Sequence, residues 1–135
     1  MFIRIIIIFL VMISNSIAEE ISGIPKVVDG DTIHINNYKF RLEGIDAPEM
    51  RQQCKKESFK ISFLIGFTFY KDYSCGRVSK EKLITKINTS EIKCISSSKD
   101  RYKRYIAECF KDKTNINAWM VRNGYAVAYL SLIHI

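Results

Sequence analysis

Apolar and polar residues alternate in short registers along most of the chain, a pattern that predicts strands more than long helices. From Ile24 the text runs IPKVVDGDTIHINNYKFRLEGIDAPE. Val27 and Val28 lead into Asp29-Gly30, a dipeptide that favours tight hairpin turns. Ile33 and Ile35 then alternate with Thr32 and His34, as on a strand with one buried face, and His34 is expected toward solvent. Asn36-Asn37 makes a second turn, after which Phe40 and Leu42 alternate with Lys39, Arg41 and Glu43. The result is a three-stranded meander. It ends at Pro48, which lacks a ladder donor and restricts Ala47. Further on, Phe59, Ile61, Phe63, Ile65, Phe67 and Phe69 alternate strictly, which argues for a strand, either added or an exposed edge prone to association.

The period changes over residues 76 to 87, GRVSKEKLITKI, where Val78, Leu83, Ile84 and Ile87 fall near one helical face and Asn88-Thr89 ends the helix. Residues 91 to 96 and 105 to 110 read as two strands around a polar, charged turn. Thr114 or Asn115 caps a short helix carrying Ile116, Trp119 and Met120, and Gly124 supplies a left-handed stop. Trp119 and Met120 are expected in the core. The order is three strands, helix, two strands, helix. It predicts a mainly β chain of the α+β class: a five-stranded OB-type Greek-key barrel with packed helices, with an open α+β sandwich as the competitor.

Composition refines this picture. The chain has 135 residues, 47% of them apolar, which suits one globular domain and excludes a disordered or multi-domain protein. Residues 1 to 18, MFIRIIIIFLVMISNSIA, resemble a signal peptide, with Arg4, an apolar run over Ile5 to Ile13 and small residues before Glu19. As a helix that run rises only about 13 Å, short of a bilayer core of roughly 30 Å. The expectation is a mature domain over 19–135, secreted or periplasmic, with no stable membrane association after cleavage; an uncleaved anchor is the alternative. Cys54, Cys75, Cys94 and Cys109 contain no C-x-x-C pair, which disfavours zinc, and an even number outside the cytosol suggests disulfides. Three pairings are open, and the sequence alone does not choose between them. Without Arg4, 20 basic residues face 14 acidic ones, a net charge near +6 that suits a polyanionic partner.

Candidate chemistry falls at the ends of the meander. Asp31 shares parity with Ile33 and Ile35 and is expected to point inward at the barrel mouth; Asp46 and Glu49 flank Ala47-Pro48. Converging carboxylates repel one another unless a cation sits among them, and hard oxygen ligands favour Ca²⁺ or Mg²⁺. Turn chemistry explains the same residues without any ion. Arg41 lies on the outer face of its strand and Arg104 at a hairpin tip. Guanidinium groups match two phosphate oxygens, although an isolated arginine is more often only solvated.

The runs VVDGDTIHI, FRLEGIDAPE, DRYKR and NAWMVRNGYAVAY, in that order and spacing, resemble the staphylococcal nuclease-like (thermonuclease) family over Ile24 to Tyr129. The resemblance implies an OB-type barrel that hydrolyses phosphodiester bonds of DNA and RNA with Ca²⁺, with low sequence specificity. It casts Asp31, Asp46 and the Ala47 backbone carbonyl as metal ligands, and Glu49 as the residue that orients or deprotonates the attacking water. It casts Arg41 and Arg104 as the catalytic phosphate-binding pair, and Arg101, Tyr102 and Tyr129 as substrate contacts. In that frame Cys94 and Cys109 flank the 97 to 103 turn on paired strands, which leaves Cys54 with Cys75, as in exported relatives of the family. The basic cluster Lys99, Arg101, Lys103 and Arg104 is expected to steer a polyanion inward.

Three departures from the family stand out. Lys103 occupies a place where the family has glycine. The alternating stretch from 59 to 69 is longer and more apolar than the family pattern. The expected C-terminal helix is missing, so a truncated frame is one reading. A monomeric nuclease is the leading expectation; a non-catalytic nucleic-acid-binding barrel and an inactive truncated fragment are the alternatives.

Overall fold

The computed structural model describes residues 18–61 and 66–129. The stretch expected to be a signal peptide over 1–18 (apart from Ala18), the middle of the 59–69 alternation, and the segment after Tyr129, where the C-terminal helix was expected to be missing, lie outside the described residues.

The meander forms as its alternation predicts. β1 (Glu19–Gly23) and β2 (Pro25–Val27) precede β3 (Thr32–Ile35) and β4 (Tyr38–Leu42), with Ile33 opposite Phe40. After β5 (Ile45–Asp46), β6 (Cys54–Ile61) and β7 (Phe67–Tyr73) comes α1 (Cys75–Ile87), followed by β8 (Ile92–Lys99) and β9 (Tyr105–Lys111). The chain continues through β10 (Thr114–Asn115), α2 (Ile116–Arg122) and β11 (Val127–Ala128). The main sheet runs β1-β8-β9-β4-β3-β2, with β10 added beside β9. Only Ile24 separates β1 from β2, so the two ends of that order are halves of one bent strand. The sheet therefore closes on itself as a five-stranded OB-type barrel, its one parallel pair being β4 with β9.

Period two explains the interior. Ile33, Ile35, Phe40, Leu42, Ile92, Cys94, Ala107 and Cys109 are all buried. Each fully buried Ile, Leu or Phe is worth about 1.5–3 kcal/mol relative to exposure. His34, opposite Lys26 and Lys39 on the other face, is half-buried rather than open to solvent. Met120 is buried, and Trp119 packs partly buried against the core. Asn117 is buried with all its polar atoms satisfied. Its amide nitrogen donates to the carbonyls of Glu43 and Ala107, and its oxygen accepts from the Cys109 N–H. It thereby fastens α2 to the barrel.

The helical face expected for α1 is corrected in part. The buried side runs through Cys75, Gly76, Ser79, Leu83 and Ile87, while Ile84 is 47% exposed. Small residues on that side let the backbone approach closely, so the buried stripe is set by size as well as by hydrophobicity. A Cβ on Gly76 would overlap the Glu49 carbonyl, and one on Gly30 would overlap Ser79 and Ala47. Asn88 ends α1 in a left-handed conformation, and Lys111 Nζ donates to the Lys86 and Ile87 carbonyls at its C-terminus. In α2 the Asn115 side chain caps the first turn by accepting from the Ala118 N–H, and Gly124 turns left-handed after its end.

The alternation from Phe59 to Phe69 was expected to form one strand. It forms parts of two: β6 and β7 pair antiparallel in a hairpin that makes no ladder with the barrel, and Gly66 lies just before β7 at φ 64°. Disulfides join Cys54 to Cys75 at the base of that hairpin and Cys94 to Cys109 across β8 and β9. No described helix is long and apolar enough to cross a membrane.

Candidate active site

The site forms where the open ends of β3, β4 and β5 meet. The Asp29-Gly30 turn fixes Asp31, whose N–H donates to Asp29 Oδ1 at 3.1 Å. The Asp31 carboxylate is buried. Oδ2 accepts from the Ala47 N–H at 3.0 Å, and Oδ1 accepts from Thr32 Oγ1 at 3.1 Å. Arg41 stands on the outer face of β4, opposite Thr32. Its Nη1 donates to Asp31 Oδ1 and its Nη2 to Asp46 Oδ1, both at 3.0 Å. The two acids predicted as metal ligands are therefore brought together, with Arg41 bridging them.

Charge in this corner is unbalanced. Burial pushes the Asp31 carboxyl above its usual 3.8, against the opposing pull of the Ala47 N–H and the Arg41 charge. Burial pulls Arg41 downward, but Asp31 and Asp46 outweigh it and hold the guanidinium above its usual range. Asp29 acts on both groups. Three carboxylates thus surround one guanidinium, an excess of two negative charges. Among the described residues no three His, Cys, Asp or Glu side chains group as a metal site. A cation at this place would take hard oxygens from Asp31 and Asp46 and complete its shell with a backbone carbonyl, water or substrate. That donor set fits Ca²⁺.

Arg104 is aimed by a separate device. Asp100 Oδ2 accepts from Arg104 Nε at 2.8 Å, and Asp100 Oδ1 accepts from the N–H groups of Tyr102 and Arg104. Lys103 adopts φ 62°, the left-handed conformation its glycine-like place requires, and its N–H donates to the Asp100 carbonyl. The strain of that position is about 1 kcal/mol or more. Tyr102 lies exposed, with the Arg101 guanidinium 4.8 Å and the Arg104 guanidinium 5.5 Å from its ring centre.

Arg41 and Arg104 make no mutual contact, but the sheet aligns them. Arg41 pairs with Ile106 in the parallel β4–β9 ladder, and Arg104 lies two residues before Ile106 on the same face. Lys39 shares the face and lines a shallow cavity of about 300 Å³ with Tyr102 and Arg104. Neither Lys39 nor Asp29 was singled out from the sequence for the site. The parity of Lys39 with Arg41 was the signal for the former, while turn chemistry masked the latter.

Glu49 is exposed, and its carboxylate makes no hydrogen bond or ion pair with Asp31, Asp46 or Arg41. Its backbone is held instead: its N–H donates to Gln52 Oε1, its carbonyl accepts from the Gln52 N–H, and Gly76 packs against it. The pairing of β11 with β5 puts Val127 opposite Asp46, and the Tyr129 N–H donates to the Gly44 carbonyl. The Tyr129 side chain is exposed. Tyr125 stacks near Trp119 and also borders the cavity beside Asp46 and Ala47, so it serves the core and faces the site at once.

The chain matches the family model described as Staphylococcal nuclease homologue over residues 39–134. It is 35% identical over 112 residues to the succinoglycan biosynthesis protein ExoI of Rhizobium meliloti (strain 1021), covering 82% of this chain and 53% of that protein. It is 30% identical over 134 residues to a Haemophilus influenzae protein named an uncharacterized endonuclease, covering 96% of this chain and 64% of that one. Endonuclease YhcR of Bacillus subtilis (strain 168) is 32% identical over 117 residues, covering 82% of this chain and 9% of its own length. The protein belongs to the staphylococcal nuclease-like family. It spans between half and two thirds of the length of the first two relatives.

Proposed function

We propose that the protein is an exported, Ca²⁺-dependent nuclease that hydrolyses phosphodiester bonds of DNA and RNA with low sequence specificity. The observation that carries this reading is the corner where Asp31 and Asp46 converge on Arg41, with Arg104 aligned on the same sheet face. Two relatives named as endonucleases support it, and two disulfides suit an oxidising compartment.

Asp31, Asp46 and the Ala47 carbonyl would hold Ca²⁺, which when bound neutralises phosphate charge and eases the approach of an anionic nucleophile. Arg41 and Arg104 donate to the equatorial phosphate oxygens, where negative charge grows as water attacks phosphorus and the P–O ester bond breaks. Glu49 accepts the proton of the attacking water; it is exposed, and among the described residues no side chain engages its carboxylate. Arg101 and Tyr102 hold the neighbouring phosphate, and Tyr129 stacks on a base. Lys99, Arg101, Lys103 and Arg104 draw the polyanion inward, so binding weakens as salt rises. The protein acts as a monomer, since every proposed role is filled from one chain.

Plasmid DNA incubated with the protein and Ca²⁺ is the test. Nicking and degradation that a chelator stops is the expected result. Intact plasmid that migrates more slowly makes the protein a binding barrel instead.

A further inference from the structure

We propose that the β6–β7 hairpin is a clamp for single-stranded nucleic acid next to the active site, with Lys56 and Lys71 taking a backbone phosphate and Tyr73 stacking on a base. The inference rests on the nuclease reading and adds to it both a second contact surface and the form of the substrate.

The hairpin register carries the charge argument. Cys54 faces Tyr73, Lys55 faces Asp72, and Lys56 faces Lys71. Successive residues point to opposite faces. One face therefore sets Lys55 against Asp72, opposite charges in a favourable pair. The other sets Lys56 directly against Lys71 beside Tyr73. Like charges opposed across a ladder, with Cβ atoms about 5 Å apart, destabilise the pair. An anion between them removes that cost. Neither lysine is paired with a carboxylate among the described residues, although Glu57 and Ser58 border the same small cavity. Tyr73 is 39% exposed, so a ring face is open for stacking.

Position links this face to the chemistry. A cavity of about 680 Å³ lies between the hairpin and the barrel, bordered by Lys56, Tyr73, Pro48, Gly124 and Tyr125. Pro48, Gly124 and Tyr125 also border the cavity of about 170 Å³ that reaches Asp46 and Ala47. The groove is thus continuous from the candidate ligands to the hairpin. The Cys54–Cys75 bond fixes the base of the hairpin to α1. A base stacks on tyrosine only when it is unstacked from its neighbours, which favours a single strand over a duplex.

Fluorescence anisotropy of a labelled 20-nucleotide single strand, measured across a salt series with chelator present, tests the clamp without turnover. Losing the shared phosphate contact in the K56Q/K71Q double variant flattens the dependence of log K on log salt by about 0.7, the value per neutralised phosphate for single strands. Tyr73→Ala weakens binding by about tenfold. Lys93→Gln, whose lysine on β8 is paired with Glu20 on β1, leaves the slope unchanged. A K56Q/K71Q protein that melts like the wild type and keeps its full slope overturns the clamp. A wild type that cleaves while the double variant keeps its slope also overturns the clamp and leaves the nuclease reading standing. A wild type that binds through these residues and cleaves nothing overturns the nuclease reading alone.

Discussion

Arg41 donates to the buried Asp31 carboxylate at 3.0 Å, and its second terminal nitrogen reaches Asp46 at the same distance. The guanidinium therefore occupies the electrostatic place of a cation. A divalent ion held by those acids would free Arg41 for phosphate. Arg41→Ala is accordingly expected to bind Ca²⁺ more tightly than the wild type, because the carboxylates lose their competing partner. Titration calorimetry reads this directly, and weaker binding would show that Arg41 supports the ligands rather than competing with the ion.

Asp31 has its carboxyl raised above 3.8, chiefly by burial. A raised acid stabilises the fold below its unfolded value, and that contribution is lost as pH rises through the folded one. At pH 7 the ionised group is a net cost. Asp31→Asn is expected to melt no lower than the wild type in chelator and to lose the upward shift that Ca²⁺ gives the wild type. Thermal melts at pH 7 with and without Ca²⁺ check both halves.

Asp100 shows the opposite sign. Burial pulls its carboxyl upward, but hydrogen bonds from Arg104 and Tyr102 outweigh burial and hold it below 3.8. Its contribution is present above about 3.8 and is lost as pH falls through the lowered value. An NMR titration is expected to find Asp100 with a midpoint under 3.8 and Asp31 with one above it in metal-free protein. Midpoints in the reverse order contradict the hydrogen-bond pattern at the Arg104 tip.

The loop carrying Glu49 leans on Gly76 at the start of α1. Gly76→Ala forces the two backbones apart, with an expected cost of about 1–3 kcal/mol and a shifted loop. Chemical denaturation measures the cost. Glu49→Gln keeps the fold and is expected to lower turnover by about 10²-fold or more, the usual worth of proton abstraction. Equal turnover in Glu49→Gln and wild type removes Glu49 from the chemistry.

Much of the barrel was legible because Ile33, Ile35, Phe40 and Leu42 repeat at the strand period, and Asn115 and Gly124 mark helix ends by their own chemistry. The face of α1 was harder to read. Gly76 and Ser79 are buried for their small size, which a hydrophobic pattern does not register, so Ile84 looked internal. Unbroken alternation from Phe59 to Phe69 hid the division of that stretch between two paired strands, β6 and β7. Parity placed Asp31 inward, and it is buried, whereas Arg41, read as outward, turns its guanidinium back onto Asp31 and is only 24% exposed. Their contact, and the arrival of Asp46 on the same guanidinium, depend on how the chain after β5 brings Ala47 against Asp31, and no local pattern encodes that distance.

Turnover of a single-stranded oligonucleotide by Arg41→Ala, Arg104→Ala and the double variant, in saturating Ca²⁺, tests most directly whether one phosphate is gripped by both arginines. Each single variant is expected to lose about 10²-fold or more. The double variant should fall little below the worse single one, because groups acting as a unit do not lose rate independently. Wild-type-like rates in either single variant, or losses that multiply in the double, would contradict the account.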